Sequence, residues 1–137
     1  MNKLKYFGVY FTPLLALISF NSNGILAYSG IIVLYLCIPI LENVIPKDSY
    51  NLSTTEKELA KKDRFYDIVL YLLVPLHLFV IYIFLNAISN PDILLSDLIA
   101  YVLMMGTVLG VNGINGGHEL GHKTGEPFKL LMAHVLL

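Results

Sequence analysis

The chain has 137 residues, 56% of them hydrophobic and only 14% charged, and its formal net charge is −1. Soluble domains carry about 25% charged residues, and a core of this size cannot hide so much apolar surface, so the composition points to the bilayer as solvent. The near-neutral balance leaves no basic footprint for nucleic acid, and the single cysteine, Cys37, excludes an internal disulfide or a cysteine-based zinc site.

Lys3 and Lys5 precede an apolar run from Tyr6 to Phe20. A cleaved signal peptide has that layout, but no A-x-A site follows and a second apolar run begins at once, so a retained first span is expected. Asn21-Ser22-Asn23-Gly24 makes a polar turn. The second apolar stretch runs from Ile25 to Leu41 with Pro39 near its end, and residues 42–64 then form the one long charged segment. Within it Ser53-Thr54-Thr55-Glu56 reads as a capping box that starts a short helix along the membrane surface. A third stretch, from Phe65 to Ile88, holds Pro75 and His77 and is broken by Ser89-Asn90-Pro91-Asp92. A fourth begins near Leu94 or Leu98 and continues towards Gly117. Pro13, Pro39 and Pro75 are candidate kinks. With no Trp, any aromatic belt falls to the nine Tyr and seven Phe. The expected fold is all-α, a polytopic transmembrane helix bundle over residues 1–137, with spans at about 6–20, 25–41, 65–88 and 95–117.

Charge placement tests that count. With four spans, Lys3, Lys5, Lys47, Lys57, Lys61, Lys62, Arg64, Lys123 and Lys129 all fall on one side. The opposite loops, 21–24 and 89–97, hold no basic residue, and the second carries Asp92 and Asp97. By the positive-inside rule the basic side, with the N-terminus, is cytoplasmic. Asn51-Leu52-Ser53 matches a glycosylation acceptor by pattern alone and would go unused on that side. Lys61, Lys62 and Arg64 could attract an acidic partner, but they read first as the topological signal.

The chemistry concentrates in Gly113-Ile114-Asn115-Gly116-Gly117-His118-Glu119-Leu120-Gly121-His122-Lys123. On a helix His118 and His122, at i and i+4, point the same way and can bind one metal or two neighbouring ones. A charged Glu119 at the end of an apolar span needs metal or polar compensation. The bland alternative is a polar cap with two interfacial histidines. The same five residues also satisfy the H-E-x-x-H zinc-protease pattern, in which the Glu is general base, so the motif by itself leaves the metal open.

From residue 45 onward the chain resembles the membrane-bound alkane 1-monooxygenase family. The resemblance lies in Ile45-Pro46, Asp63-Arg64-Phe65-Tyr66, Leu70-Tyr71-Leu72-Leu73-Val74-Pro75-Leu76-His77, and the run Asn115 to Lys123, fading through Met132-Ala133. Residues 1–41 match only as hydrophobic spans. The resemblance implies oxygen-dependent terminal hydroxylation of n-alkanes to primary alcohols in the bacterial inner membrane. It implies two irons per complete chain, held by histidines at the cytoplasmic ends of six transmembrane helices, with electrons from rubredoxin and rubredoxin reductase. On that pattern His118 and His122 carry over as iron ligands, and imidazole suits iron. The alkane would arrive through membrane lipid, and Leu109, Asn112 and Gly113 would line the end of its channel.

Glu119 is a candidate catalytic-site residue with three readings: iron ligand, acceptor orienting an imidazole, or salt-bridge partner of Lys123; the orienting acceptor is favoured. His77 reads as a structural hydrogen-bonder and His134 as a non-ligand. The family's later histidine clusters are absent and the sequence stops inside another apolar segment, so the chain is expected to be an N-terminal fragment, inactive alone. The competing readings are a membrane zinc metalloprotease and another histidine-box di-iron desaturase or hydroxylase.

Overall fold

The computed structural model describes residues 3–45, 63–122 and 126–137. The predicted surface helix at Ser53–Glu56, the Asn51 pattern, Lys123 and most of the basic segment lie outside those residues. The described residues are all-helical, with no strand. Helix α1 (Phe11–Phe20) continues a 3₁₀ segment, Lys3–Tyr10. It is followed by α2 (Gly24–Val44), α3 (Arg64–Ile88), α4 (Leu95–Gly121) and α5 (Pro127–Leu136). Helices α2, α3 and α4 are long and apolar enough to cross a bilayer; α1 with its lead-in (Lys5–Phe20) and α5 are shorter. α2 and α4 each run past the stretch expected from the sequence, and α4 includes His118 within its last turns.

Each helix shows one face to its neighbours and the other outward. In α1 the buried positions are Thr12, Pro13, Ala16, Ser19 and Phe20, a stripe at helical spacing. They meet Ala27, Val80, Ala100, Tyr101, Met104, Met105 and Val108 in the main core. The small residues in that list let backbones approach. A Cβ on Gly30 of α2 would sit 2.5 Å from Met104 Sδ, so any larger residue where α2 crosses α4 would require the Met104 side chain to move. Ile18, Ile25, Tyr82 and Leu103 are among the large apolar side chains left exposed on the outer faces. That is how a bundle solvated by lipid is covered, since the helices satisfy their own backbone groups.

The three prolines act differently from one another. Pro13 offers no N–H to Val9, four residues earlier, and the Val9 carbonyl instead accepts a 2.7 Å hydrogen bond from Asn112 Nδ2 of α4. Ahead of Pro39 the chain winds as a π turn, Val33–Cys37, in which Ile38 N–H reaches back five residues to Val33; that winding shifts the carbonyl pairing around a residue with nothing to donate. Pro75 lies inside α3, which continues unbroken.

A second π turn, Leu109–Ile114, interrupts α4. Above it the buried stripe is Asp97, Ala100, Tyr101, Met104, Met105 and Val108. A uniform helix would next bury position 111 or 112 and then 115. The extra residue delays the stripe, so that Val111, Ile114 and Asn115 face outward while Asn112, Gly113, Gly116 and Gly117 face in. The turn thus sets the direction of everything that follows, including the histidines.

Two ends of the bundle can be told apart. Tyr10 Oη donates to the Val69 carbonyl at 2.6 Å, placing the start of α1 beside the start of α3, and the Asn112–Val9 bond adds the last third of α4 to that end. At the other end Tyr101 Oη donates to the Ser22 carbonyl at 2.8 Å and Tyr28 Oη to the Ser96 carbonyl at 2.7 Å.

Candidate metal centre

His118 lies on the last turn of α4 and His122 caps its end, with their Nε2 atoms 2.8 Å apart. The rings meet edge to face, centroids 4.2 Å apart at 78°, and both side chains are exposed. One Nε2–H donates to the lone pair of the other. An imidazole nitrogen binds a first-row metal at about 2.0–2.1 Å, so two of them at right angles on one ion would be about 2.9 Å apart. The pair therefore fits two adjacent positions on a single ion. Among the described residues no group of three or more His, Cys, Asp and Glu converges to complete a metal site. Glu119 is exposed beside the pair.

What holds this turn in place is glycine. A Cβ on Gly113 would lie 2.9 Å from the Leu136 carbonyl oxygen and 3.5 Å from His77 Cε1. One on Gly117 would lie 2.8 Å from Leu137 Cγ, and one on Gly116 would lie 3.2 Å from side-chain carbons of Leu136 and Leu73. Helix α5 thus lies directly on the backbone of the histidine turn, while Leu120 seals the contact with Val74, Ala133 and Leu136. An ion pair pins the start of α5 on the same face: Lys129 Nζ donates to Asp67 Oδ2 of α3 at 2.8 Å and to Glu126 Oε1 at 2.7 Å, with the lysine only 4% exposed. The hydrogen bonds to Asp67 first, and then Glu126, hold the Lys129 ammonium well above its ordinary pKa. A cation so buried is tolerable because its proton donors are used.

The remaining sequence candidates occupy separate places. Asn112 is fully buried, its amide committed to Val9, with Oδ1 unpaired among the described residues. Gly113 is packed as described, and Leu109 is exposed on the outer face. His77 is 1% exposed, and its ring edge faces Gly113, five residues and so about 8 Å along the helix from His118. Its Nδ1 has no partner among the described residues. His134 Nδ1 is bonded to the Leu130 carbonyl of its own helix at 2.7 Å, and the side chain is exposed. Sequence reasoning missed Lys129 altogether. Its one signal was a lone basic residue in an apolar segment, and the acid that answers it is 62 residues away.

Apolar helices with an i, i+4 histidine pair at one end define a helical membrane protein. No family model matches the chain. It is 30% identical over 128 residues to alkane 1-monooxygenase 1 of Alcanivorax borkumensis, which covers 92% of this chain and 31% of the relative. It is 29% identical over 144 residues to the alkane 1-monooxygenase of Pseudomonas putida, covering 100% of this chain and 35% of the relative. The enzyme of Ectopseudomonas oleovorans is 29% identical over 128 residues, again 92% of this chain and 31% of the relative. The chain belongs to the alkane 1-monooxygenase family, and it spans about a third of the length of these curated relatives.

Proposed function

We propose that the chain supplies the first two ligands, His118 and His122, of a histidine-bound di-iron centre that hydroxylates n-alkanes at the terminal carbon. The observation that carries the reading is the 2.8 Å approach of the two Nε2 atoms on an exposed turn at the end of an apolar helix. Iron, when bound, would supply the oxygen chemistry; the chain's own part is to hold the two imidazoles at a fixed spacing and heading. The two nitrogens are already close, so a small reorientation of one ring, with loss of the shared proton, would bring both lone pairs to a metal. Glu119, next to His118, is proposed to accept from an imidazole N–H and hold its ring. An alkane dissolves in lipid, and an apolar bundle delivers it to the helix end without crossing water. O2 is the co-substrate, and rubredoxin with its reductase the electron source. The basic residues near the histidine end, Lys5, Arg64 and Lys129 among them, favour a cytoplasmic site in a bacterial inner membrane.

The test is metal analysis and alkane turnover on the full-length gene product in membranes. Iron at about two per chain, lost together with alcohol formation in His118→Ala and His122→Ala, is the expected result. One zinc per chain with no iron would overturn the proposal.

A further inference from the structure

At the end of the bundle away from the histidines, the 21–24 and 89–94 loops and the first turn of α4 frame a half-open pocket of about 520 Å³. Its polar wall includes Asp97, which is 3% exposed. Asp97 Oδ1 accepts from Gly24 N–H at 2.9 Å and from Ser96 Oγ at 3.5 Å, while Oδ2 has no hydrogen-bond partner among the described residues. Asp92 stands at the rim, exposed. Asn86 makes no side-chain hydrogen bond among the described residues, and Asn90 uses only its Oδ1, accepting from Asp92 N–H at 3.1 Å. Both carboxamide NH₂ groups are therefore available. The apolar wall is Phe20 and Tyr101, each 4% exposed, and Leu94 at the mouth is 64% exposed.

A buried carboxylate at the end of a transmembrane helix calls for a positive partner, and among the described residues this end has none. The described basic residues Lys5, Arg64 and Lys129 all belong to the histidine end. A bare divalent ion is a poor match. It would want six to eight oxygens around it, and among the described residues no group of three or more His, Cys, Asp and Glu gathers to hold one. Aromatic walls beside a carboxylate suit an organic ammonium.

We infer that this cavity binds the primary ammonium of a phospholipid headgroup of the phosphatidylethanolamine type. The ammonium sits between Asp97 Oδ2 and Asp92, and the phosphate is met by the amides of Asn86 and Asn90. The acyl chains leave past Leu94 and Leu95, which is 71% exposed. The inference is independent of the metal centre. Three polar functions of one headgroup, the ammonium and two phosphate oxygens, are answered by Asp97 Oδ2 and the Asn86 and Asn90 NH₂ groups, none of which has a hydrogen-bond partner among the described residues.

The chain is reconstituted in phosphatidylglycerol vesicles with and without phosphatidylethanolamine, released into mild detergent, and weighed with its retained lipid by native mass spectrometry. Phosphatidylethanolamine should be retained in preference to phosphatidylglycerol. Asp97→Asn, which keeps an acceptor for Gly24 N–H, should lower that preference about tenfold. Asp92→Asn, at the exposed rim, should lower it by about two- to fivefold and poses no threat to folding. Free ethanolamine in excess should displace the lipid. Equal retention of the two lipids would overturn the inference. So would an Asp92→Asn and Asn86→Leu pair that both retain lipid like the parent, or lipid that ethanolamine leaves in place. Calcium binding that excludes the lipid and vanishes in Asp97→Asn would overturn it in favour of an ion site.

Discussion

The two ends of α4 are held by opposite means. At its start the contacts are polar and directional: Asp97 accepts from Gly24 N–H, and Tyr101 and Tyr28 donate to turn carbonyls. At its end they are mainly steric, with Gly113, Gly116 and Gly117 pressed against α5 and α3, beside the Asn112–Val9 hydrogen bond and one buried ion pair securing α5. A hydrogen-bonded joint fixes partners but tolerates small shifts, whereas backbone laid on backbone has nowhere to go. The end that carries the histidines is the one built without slack, and a metal site needs its ligands held to within a fraction of an ångström.

That contrast can be broken from either side. The largest effect is expected for Lys129→Ala, which removes a buried ammonium and its ion pairs with Asp67 and Glu126; it should cost about 3–5 kcal/mol. Unfolding of the detergent-solubilised protein, followed by helical circular dichroism, would measure it. Gly113→Val forces a branched side chain into the space of the Leu136 carbonyl and His77, at about 1–3 kcal/mol. It should also lift α5, so cleavage by added protease near residue 126 ought to rise with it. Tyr101→Phe at the other end removes only one hydroxyl and should cost about 1 kcal/mol in the same unfolding assay. Smallest is Gly106→Ala, in the same helix but with nothing within 4 Å of the added carbon. It should be neutral or stabilise by up to about 1 kcal/mol, and a loss comparable to that of Gly113→Val would mean that packing is not what distinguishes the glycines.

Much of this arrangement is legible in the sequence because it follows from hydropathy and helical period. Four apolar stretches stand out between polar turns, and four of the helices lie on them. The spacing of His118 and His122 alone places both rings on one side of a helix, and the structure has them facing each other. What was not legible depends on which helix lies beside which. Asn112 reads from the sequence as a channel residue; its amide is found bonded to a carbonyl that Pro13, almost a hundred positions earlier, cannot serve. Lys129 looks like a stray charge until Asp67 is brought beside it. The packing of α5 on the glycines is likewise a fact of topology. Hydropathy shows α5 as another apolar segment and says nothing of where it docks.

The π turn at Leu109–Ile114 has a consequence for how such a protein can change over time. It uncouples the phase of the helix below it from the phase above. Removing a single residue from that turn would restore ordinary winding and rotate the final segment by about 100° relative to the core. The glycines would then turn away from α5 and the imidazoles would swing to another quadrant of the bundle, while the upper half of α4 kept every contact. Insertions and deletions in a transmembrane helix are usually ruinous along its whole length. Here one position acts as a phase adjuster, through which the heading of the histidine pair could be retuned without disturbing the scaffold that carries it.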